Sequence, residues 1–446
     1  MTFAALDLLA AAALGWALCA PLGRIGVPLA VLFGLGVFGA GKSVEVLLHV
    51  RIAFALLPAG LFLLWRSRTS IPLPPQSAEP FPPRAALLLR LLCWAALALG
   101  IGIFVEHSIR WPDGDWDAWG NWNTRARFFY RGGAAEAFSP HLWHADYPFL
   151  VPAVVAHAWT LLGVETKAAP AAVAFLWAAL AVAIPAAAVS RLRGPTAGWL
   201  TAGLLVATPW FVILAWNQYG DLPLAAYAVA SVALISLSAD SEDRRPIFLA
   251  GLSAGFGAFC KNEGLLVLCA LAAVLVWTRR KPRDLPAFVA GAVPMLAVLA
   301  LHKALHPVGN DFGQGFTAAA LLKPLEAGRW AIIGDEVRLL LKDVREWGPM
   351  LLALPFAIAL ALARPALARF ERLRGHPSPQ PLPSQLAPEG RSAGTLCLLM
   401  ALAYLGIYLV TPLDLRWHVH GSIDRLVGQL WPALALWLML SLSPRR

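Results

Sequence analysis

The chain has 446 residues, of which 59% are hydrophobic and 14% charged, and its mean hydropathy is +0.65. That composition excludes an ordinary soluble domain: it demands long apolar runs, which span a bilayer as helices because only a helix satisfies its own backbone groups in lipid. The formal charge of +10 does not mark a nucleic-acid binder, since the basic residues fall in short clusters between apolar runs, as in cytoplasmic membrane loops.

Candidate spans lie at 3–21, 25–41, 52–65, 86–105, 168–190, 196–213, 222–238, 246–260, 264–278, 285–302, 349–363, 394–411 and 426–443, giving an all-α polytopic membrane protein with about thirteen transmembrane helices. The first run carries Asp7 and no basic leader, so it reads as a span and not as a cleaved signal peptide. The five cysteines (Cys19, Cys93, Cys260, Cys269 and Cys397) sit in or beside these runs without a C-x-x-C pair, which argues against a disulfide framework or a zinc knuckle.

The segment 147–163 is short and contains Pro152, His157 and Trp159. If it does not cross, one side of the membrane holds 20 Lys and Arg against 7 Asp and Glu, and the other holds 16 against 18. If it crosses, the arginine clusters at 191–193, 244–245 and 279–283 change sides and the asymmetry collapses. The expectation is therefore an interfacial helix on the outer face, its Trp, His and Tyr among headgroups. The Pro-rich stretches 73–85 and 375–394 read as flexible cytoplasmic linkers.

The polar motifs then fall outside: 105–133, WHADYP (143–148), NQYGD (217–221), KNEG (261–264), the loop at 303–348 and TPLDLRWHVHGSIDR (411–425). Six such segments on one face describe a cavity. The loop at 303–348 should hold a structural surface helix around Asp335–Trp347.

The first motif has internal order. From Asp117 a short amphipathic helix places Trp119, Trp122, Ala126 and Phe129 on one stripe, and Asp117, Asn121 and Arg125 on another. The plain alternative makes Asp117 an N-cap and the tryptophans interfacial anchors. Grouping Asp113, Asp115 and Asp117 within five residues favours chemistry, because clustered carboxylates raise one another's pKa or bind a cation, giving a general base or a metal site. Tryptophan faces suit sugar C–H faces.

Elsewhere Asp221 reads as an N-cap with Pro223 just inside, or as a site residue; Lys261 and Glu263 read as a turn ion pair, or as groups facing a cavity. His144 and Asp146 lead into the interfacial helix as an ordinary turn or as ligands for acceptor or phosphate. His418 and His420 form an H-x-H, a weak zinc signal without a nearby cysteine.

Together these residues resemble the GT-C glycosyltransferases, polytopic enzymes such as the protein O-mannosyltransferases and the lipid A aminoarabinose transferases. The resemblance rests on DGDWDAW (113–119), Tyr147-Pro148, GDLPLAAY (220–227), KNEG (261–264) and TPLDLRWHVHGSIDRL (411–426), over residues 86–443. It implies a GT-C-like core over 86–446, with outer loops 106–167 and 303–348, behind an added three-span unit at 1–85. It further implies a polyprenyl-phosphate sugar as donor, an inverting transfer to a lipid, glycan or protein acceptor, and an acidic base in the first long outer loop. That role maps onto Asp117 first and Asp115 next, although the acidic loop here follows the fourth span and not the first. Asp113, Trp119, Arg125, His144, Asp146, Tyr147, Asp221, Lys261, Glu263, Arg416, His418 and Arg425 are the candidate substrate-binding residues, with Lys261, Arg416, His418 and Arg425 as cations for the phosphate.

A divalent cation (Mg or Mn) at the aspartate loop is left open. Membrane lipids are the only other partner expected, and the location expected is a bacterial-type inner membrane with its site on the extracytoplasmic face. Nucleotide donors are disfavoured, since no Gly-rich phosphate loop is present. The rival reading is a transporter or flippase for a lipid-linked or anionic solute, which would need polar sites near the midplane and commonly paired repeats. An O-antigen ligase or polymerase is a second enzyme reading, disfavoured because carboxylates dominate the outer loop.

Overall fold

The computed structural model describes residues 3–50, 70–142, 144–279, 281–307, 318–353, 355 and 388–442; the expected spans at 52–65 and most of 349–363 lie outside them. Among the described residues the chain is helical, with no strand. Among the described residues six stretches are long and apolar enough to cross a membrane, or up to seven when one bent helix pair is counted as a span.

Helices α1 (Phe3–Cys19) and α2 (Gly26–Leu48) fold back on each other about Gly23, whose φ of 67° suits a residue without a Cβ. Helix α3 (Pro83–Arg110) leads to the acidic loop, where a π-turn (Ala118–Trp122) runs into α4 (Asn123–Arg131). Then come α5 (Leu150–Leu162), α6 (Ala168–Arg193) and the pair α7 (Pro195–Val206) and α8 (Pro209–Trp216), bent by 69° at their junction. Helices α9 (Asp221–Leu237), α10 (Arg245–Ala258) and α11 (Glu263–Thr278) have 17, 14 and 16 residues, fewer than the roughly 20 that cross a hydrocarbon core. Helix α12 (Asp284–Leu305), α13 (Ala327–Lys342), α14 (Pro388–Val410), α15 (Leu415–His420) and α16 (Ile423–Leu442) complete the fold. Every residue of α9 is buried, so it forms the axis around which α6, α10, α14 and α16 pack.

Helix α5 has 13 residues, fewer than the roughly 20 that cross a hydrocarbon core. Before it the carbonyls of His144 and Tyr147 accept from Arg125, and Asp146 meets Asn262 at 2.6 Å; after it Glu165 and Lys167 pair with Arg127 (3.0 Å) and Asp113 (2.6 Å), so both of its ends lie against the 113–131 segment. Its surroundings differ from those expected, however. His157 and Trp159 are buried among protein, not headgroups: His157 stacks on Phe38 and lies 3.2 Å from Asp7 on α1, and the Trp159 indole donates to the Thr166 carbonyl at 2.7 Å. The helix is apolar on all sides, and such a helix seeks a core.

The arginine-rich turns meet at the opposite end. Arg191 donates to the Pro74 carbonyl (2.7 Å), Arg245 to that of Ser70 (3.1 Å), Arg279 pairs with Asp284 (2.5 Å), and Arg193 lies 3.7 Å from Glu389. The stretch 73–85 is consequently no free linker. Its backbone is strapped to the end of α6 by Gln76, Ser77 and Glu79, which bond Ser190, Arg191, Leu192 and Thr196. Of the second linker, 375–387 lies outside the described residues and 388–394 opens α14. The helix expected around Asp335–Trp347 begins earlier and stops at Lys342; Trp347 is buried against Trp210.

Candidate active site

The acidic loop supplies the first wall. Asp117 is only 3% exposed and makes no capping hydrogen bond, so the plain N-cap reading fails. Its Oδ2 accepts from the Trp122 indole at 3.2 Å and from Arg425 at 2.8 Å. The Trp122 contact depends on the π-turn. One extra residue per turn brings positions five apart together and breaks the expected stripe, leaving Trp119 55% exposed while Trp122, Ala126 and Phe129 are buried.

The three aspartates diverge rather than share a site. Asp113 pairs with Lys167 (2.6 Å) and Arg127 (3.4 Å), Asp115 is exposed and accepts from the backbone of Trp116, and only Asp117 turns inward. Mutual repulsion is relieved by separate partners, so the argument from clustering does not hold. Among the described residues no three His, Cys, Asp or Glu side chains converge as metal ligands.

The second wall is the start of α9. Asp221 is fully buried, and it too makes no cap. Its Oδ1 accepts from Lys261 (3.1 Å) and Gln429 (2.5 Å), and its Oδ2 from Nε and Nη2 of Arg425 (3.2 and 3.0 Å). Lys261 also meets Glu263 at 3.0 Å. Arg425 thus bridges Asp117 and Asp221, Lys261 bridges Asp221 and Glu263, and the Tyr219 ring lies 4.5 Å from the Arg425 guanidinium. Burial by itself would favour neutral Lys261, but Asp221 and Glu263 outweigh it and hold its pKa above the ordinary lysine value.

Tyr147, His144 and Arg125 make the floor. Arg125 is fully buried and donates to the carbonyls of Tyr147 (3.1 Å) and His144, clamping α4 to the turn before α5; burial pushes its pKa down to about 10, which leaves it charged. His144, with a φ of 50°, stacks on Tyr147, and burial lowers its pKa. Asp146 faces away, toward Asn262 and Lys303. Arg416 and His418 belong elsewhere: Arg416 pairs with Glu336 on α13 (3.2 Å) and His418 with Thr411 (2.9 Å), while His420 joins Glu336 (3.0 Å).

Residues 146–302 match the dolichyl-phosphate-mannose-protein mannosyltransferase family. This is a family of GT-C membrane glycosyltransferases, so the resemblance expected from the motifs is found over this stretch. No curated protein and no solved structure matches the chain. The mannosyltransferase match takes in Asp146, Tyr147, Asp221, Lys261 and Glu263, and leaves Asp117 and Arg425 on either side of it; tertiary packing brings those two to its edge.

Sequence reasoning missed Trp122, Tyr219 and Gln429 as members of this cluster. Gln429 had a readable signal: it stands four residues after Arg425 in an otherwise apolar run, hence on the same helix face. Among the buried polar atoms of the described residues that carry no hydrogen bond, six lie at this end: Asp117 Oδ1, both side-chain atoms of Asn121, Trp216 Nε1, Asn217 Oδ1 and Glu263 Oε2. Such atoms are costly in a folded core and commonly mark where a ligand is received.

Proposed function

We propose that the protein is a membrane glycosyltransferase that moves a sugar from a polyprenyl-phosphate donor to a hydroxyl acceptor at the outer face. One observation carries this reading: the Asp117 carboxylate is fixed through Oδ2 by Arg425 and Trp122, while Oδ1 is buried and unbonded among the described residues. The match to a mannosyltransferase family over 146–302 supports the reaction class.

Asp117 Oδ1 takes the proton of the acceptor hydroxyl as its oxygen bonds to the anomeric carbon. The bond from that carbon to the phosphate oxygen breaks, its electron pair leaves with the polyprenyl phosphate, and configuration inverts. The acceptor hydroxyl becomes acidic as its oxygen bonds to the anomeric carbon, so in an oxocarbenium-like transfer a carboxylate suffices to receive its proton. Arg425 and Lys261 supply positive charge for the departing phosphate, partly offset by Asp221 and Glu263.

An apolar groove of about 490 Å³ between α3, α6, α7 and α8 suits the prenyl chain. It is lined by Trp94, Phe104, Phe175, Trp199, Val206 and Val212. Beyond its Ala215 end Trp216 packs on Trp111 and His107, beside the acidic loop.

Asp117→Asn should abolish the transfer and leave the protein in the membrane at normal abundance. Mass spectrometry of envelope lipids and glycans from cells lacking the chain, complemented with either form, reads the result. A glycosyl increment restored to near the normal level by Asp117→Asn defeats the assignment. Removal of a positioned base lowers rates by about 10²–10⁴-fold, well within that measurement.

A further inference from the structure

Two polar side chains lie one helical turn below the cluster, in stretches otherwise built of apolar residues. Tyr404 on α14 donates its hydroxyl to Gln429 Oε1 at 2.8 Å, and Gln429 on α16 donates its amide to Asp221 Oδ1 at 2.5 Å. Gln429 is 2% exposed and Tyr404 6%. Polar groups at such positions are expensive unless they serve the interior of the bundle.

The Tyr404 hydroxyl has one proton to give, and giving it to Oε1 fixes which end of the Gln429 amide faces Asp221. With the amide and Lys261 on Oδ1, the other oxygen is left to Nε and Nη2 of Arg425. The same Nη2 reaches Asp117. The rotation of the Asp221 carboxylate therefore sets the plane of Arg425, and that plane sets how Asp117 is held.

The geometry points to Gln429, aligned by Tyr404, as a positioning residue that fixes Asp221 and through it the Arg425 contact to the base Asp117. This rests on the proposed role of Asp117. Gln429 touches no reacting atom; its effect is on orientation. The charged and titratable groups around Asp221 are Arg425 on the same helix as Gln429, Lys261 and Glu263 at the start of α11, Asp117 from the acidic loop and Tyr404 from α14.

The test is Gln429→Glu, which keeps shape but can donate to Asp221 only when protonated. Membranes from cells lacking the native chain supply donor and acceptor, and the glycosyl increment is followed by mass spectrometry from about pH 5.5 to 8.5. Gln429→Glu should retain transfer at the acid end and lose it by about tenfold or more toward the alkaline end, relative to the unsubstituted chain, because a carboxylate beside Asp221 repels it and releases Arg425. Tyr404→Phe should lower transfer less and without the pH trend. Thermal unfolding of the same variants in detergent separates collapse from misorientation: the loss of transfer at alkaline pH should occur with protein still folded.

A pH profile of Gln429→Glu parallel to that of the unsubstituted chain overturns the positioning role, as does a loss of transfer that only follows unfolding. If the unsubstituted chain adds no glycosyl increment at any pH, the transferase reading itself fails, which is a different outcome.

Discussion

Arg425 and Lys261 each bind two carboxylates in a buried setting, so neither can be removed without leaving a charge behind. Breaking a buried pair by truncating one partner costs about 3–5 kcal/mol. Lys261→Met should therefore lower the unfolding midpoint in detergent, whereas an exposed pair such as Lys281–Glu242 should change it little. The pH course follows from the sign of the shift. Because the Lys261 pKa is raised on folding, its contribution is complete below the ordinary lysine value of about 10.4 and disappears only as pH climbs through the higher folded value. The difference between the unsubstituted chain and Lys261→Met should be flat from neutral pH to about 10 and shrink above it; a decline already below pH 9 would contradict the raised pKa.

Two glycines separate site effects from general ones. A Cβ on Gly220 would meet the Trp122 ring at 2.7 Å and Lys261 Cγ at 3.1 Å, forcing apart the residues that hold Asp117 and Asp221. Gly220→Ala should cut transfer strongly. Gly120, inside the π-turn, has nothing within 4 Å of such a Cβ, and Gly120→Ala should leave transfer unchanged and stabilise by about 0.4–1 kcal/mol. Equal effects of the two substitutions on transfer would show that the close approach at Gly220 does not matter.

At the scale of elements, much of the helix content was legible because apolar runs of the right length have few alternatives in lipid. The acidic loop was legible only in part. Composition drew attention to Asp117, but that Asp117, Asn121 and Arg125 are all buried was not legible in the periodicity. The tryptophan stripe failed because a π-turn shifts phase without any composition signature. Helix α5 shows the same division: its short apolar run was legible, while its burial against α2 and the Asp7–His157 contact depended on a partner 150 residues away. Arg416 and His418 looked equivalent to Arg425 in one motif, yet α15 turns Arg416 toward Glu336, a residue that nothing local connects to it, and His418 toward Thr411.

The whole molecule has two polar ends separated by apolar helices. Basic turns meet at one, and the carboxylate cluster with its cations at the other. Single cysteines in a cysteine-free background test whether these ends face opposite sides. Asp115→Cys should react with a membrane-impermeant maleimide on intact cells, and Glu242→Cys only after permeabilisation. Labelling of both from the same side would defeat the proposed orientation. A transporter would place its polar site nearer the middle of the bundle; here the ionised groups that gather around Asp221 do so at the head of α9.

The sequence by itself determined that the chain is helical and apolar enough for a membrane, that its polar motifs sort into two groups by charge, and that Asp117, Asp221, Lys261, Glu263 and Arg425 are exceptions within an oily chain. These follow from solvation, which acts residue by residue and can be read along a line. Only the tertiary structure decided which exceptions meet: Asp117 with Arg425 across 308 positions, Asp221 with Gln429 across 208. Ion pairing and hydrogen bonding act over a few ångströms of space, and the sequence order of the partners carries no trace of that distance.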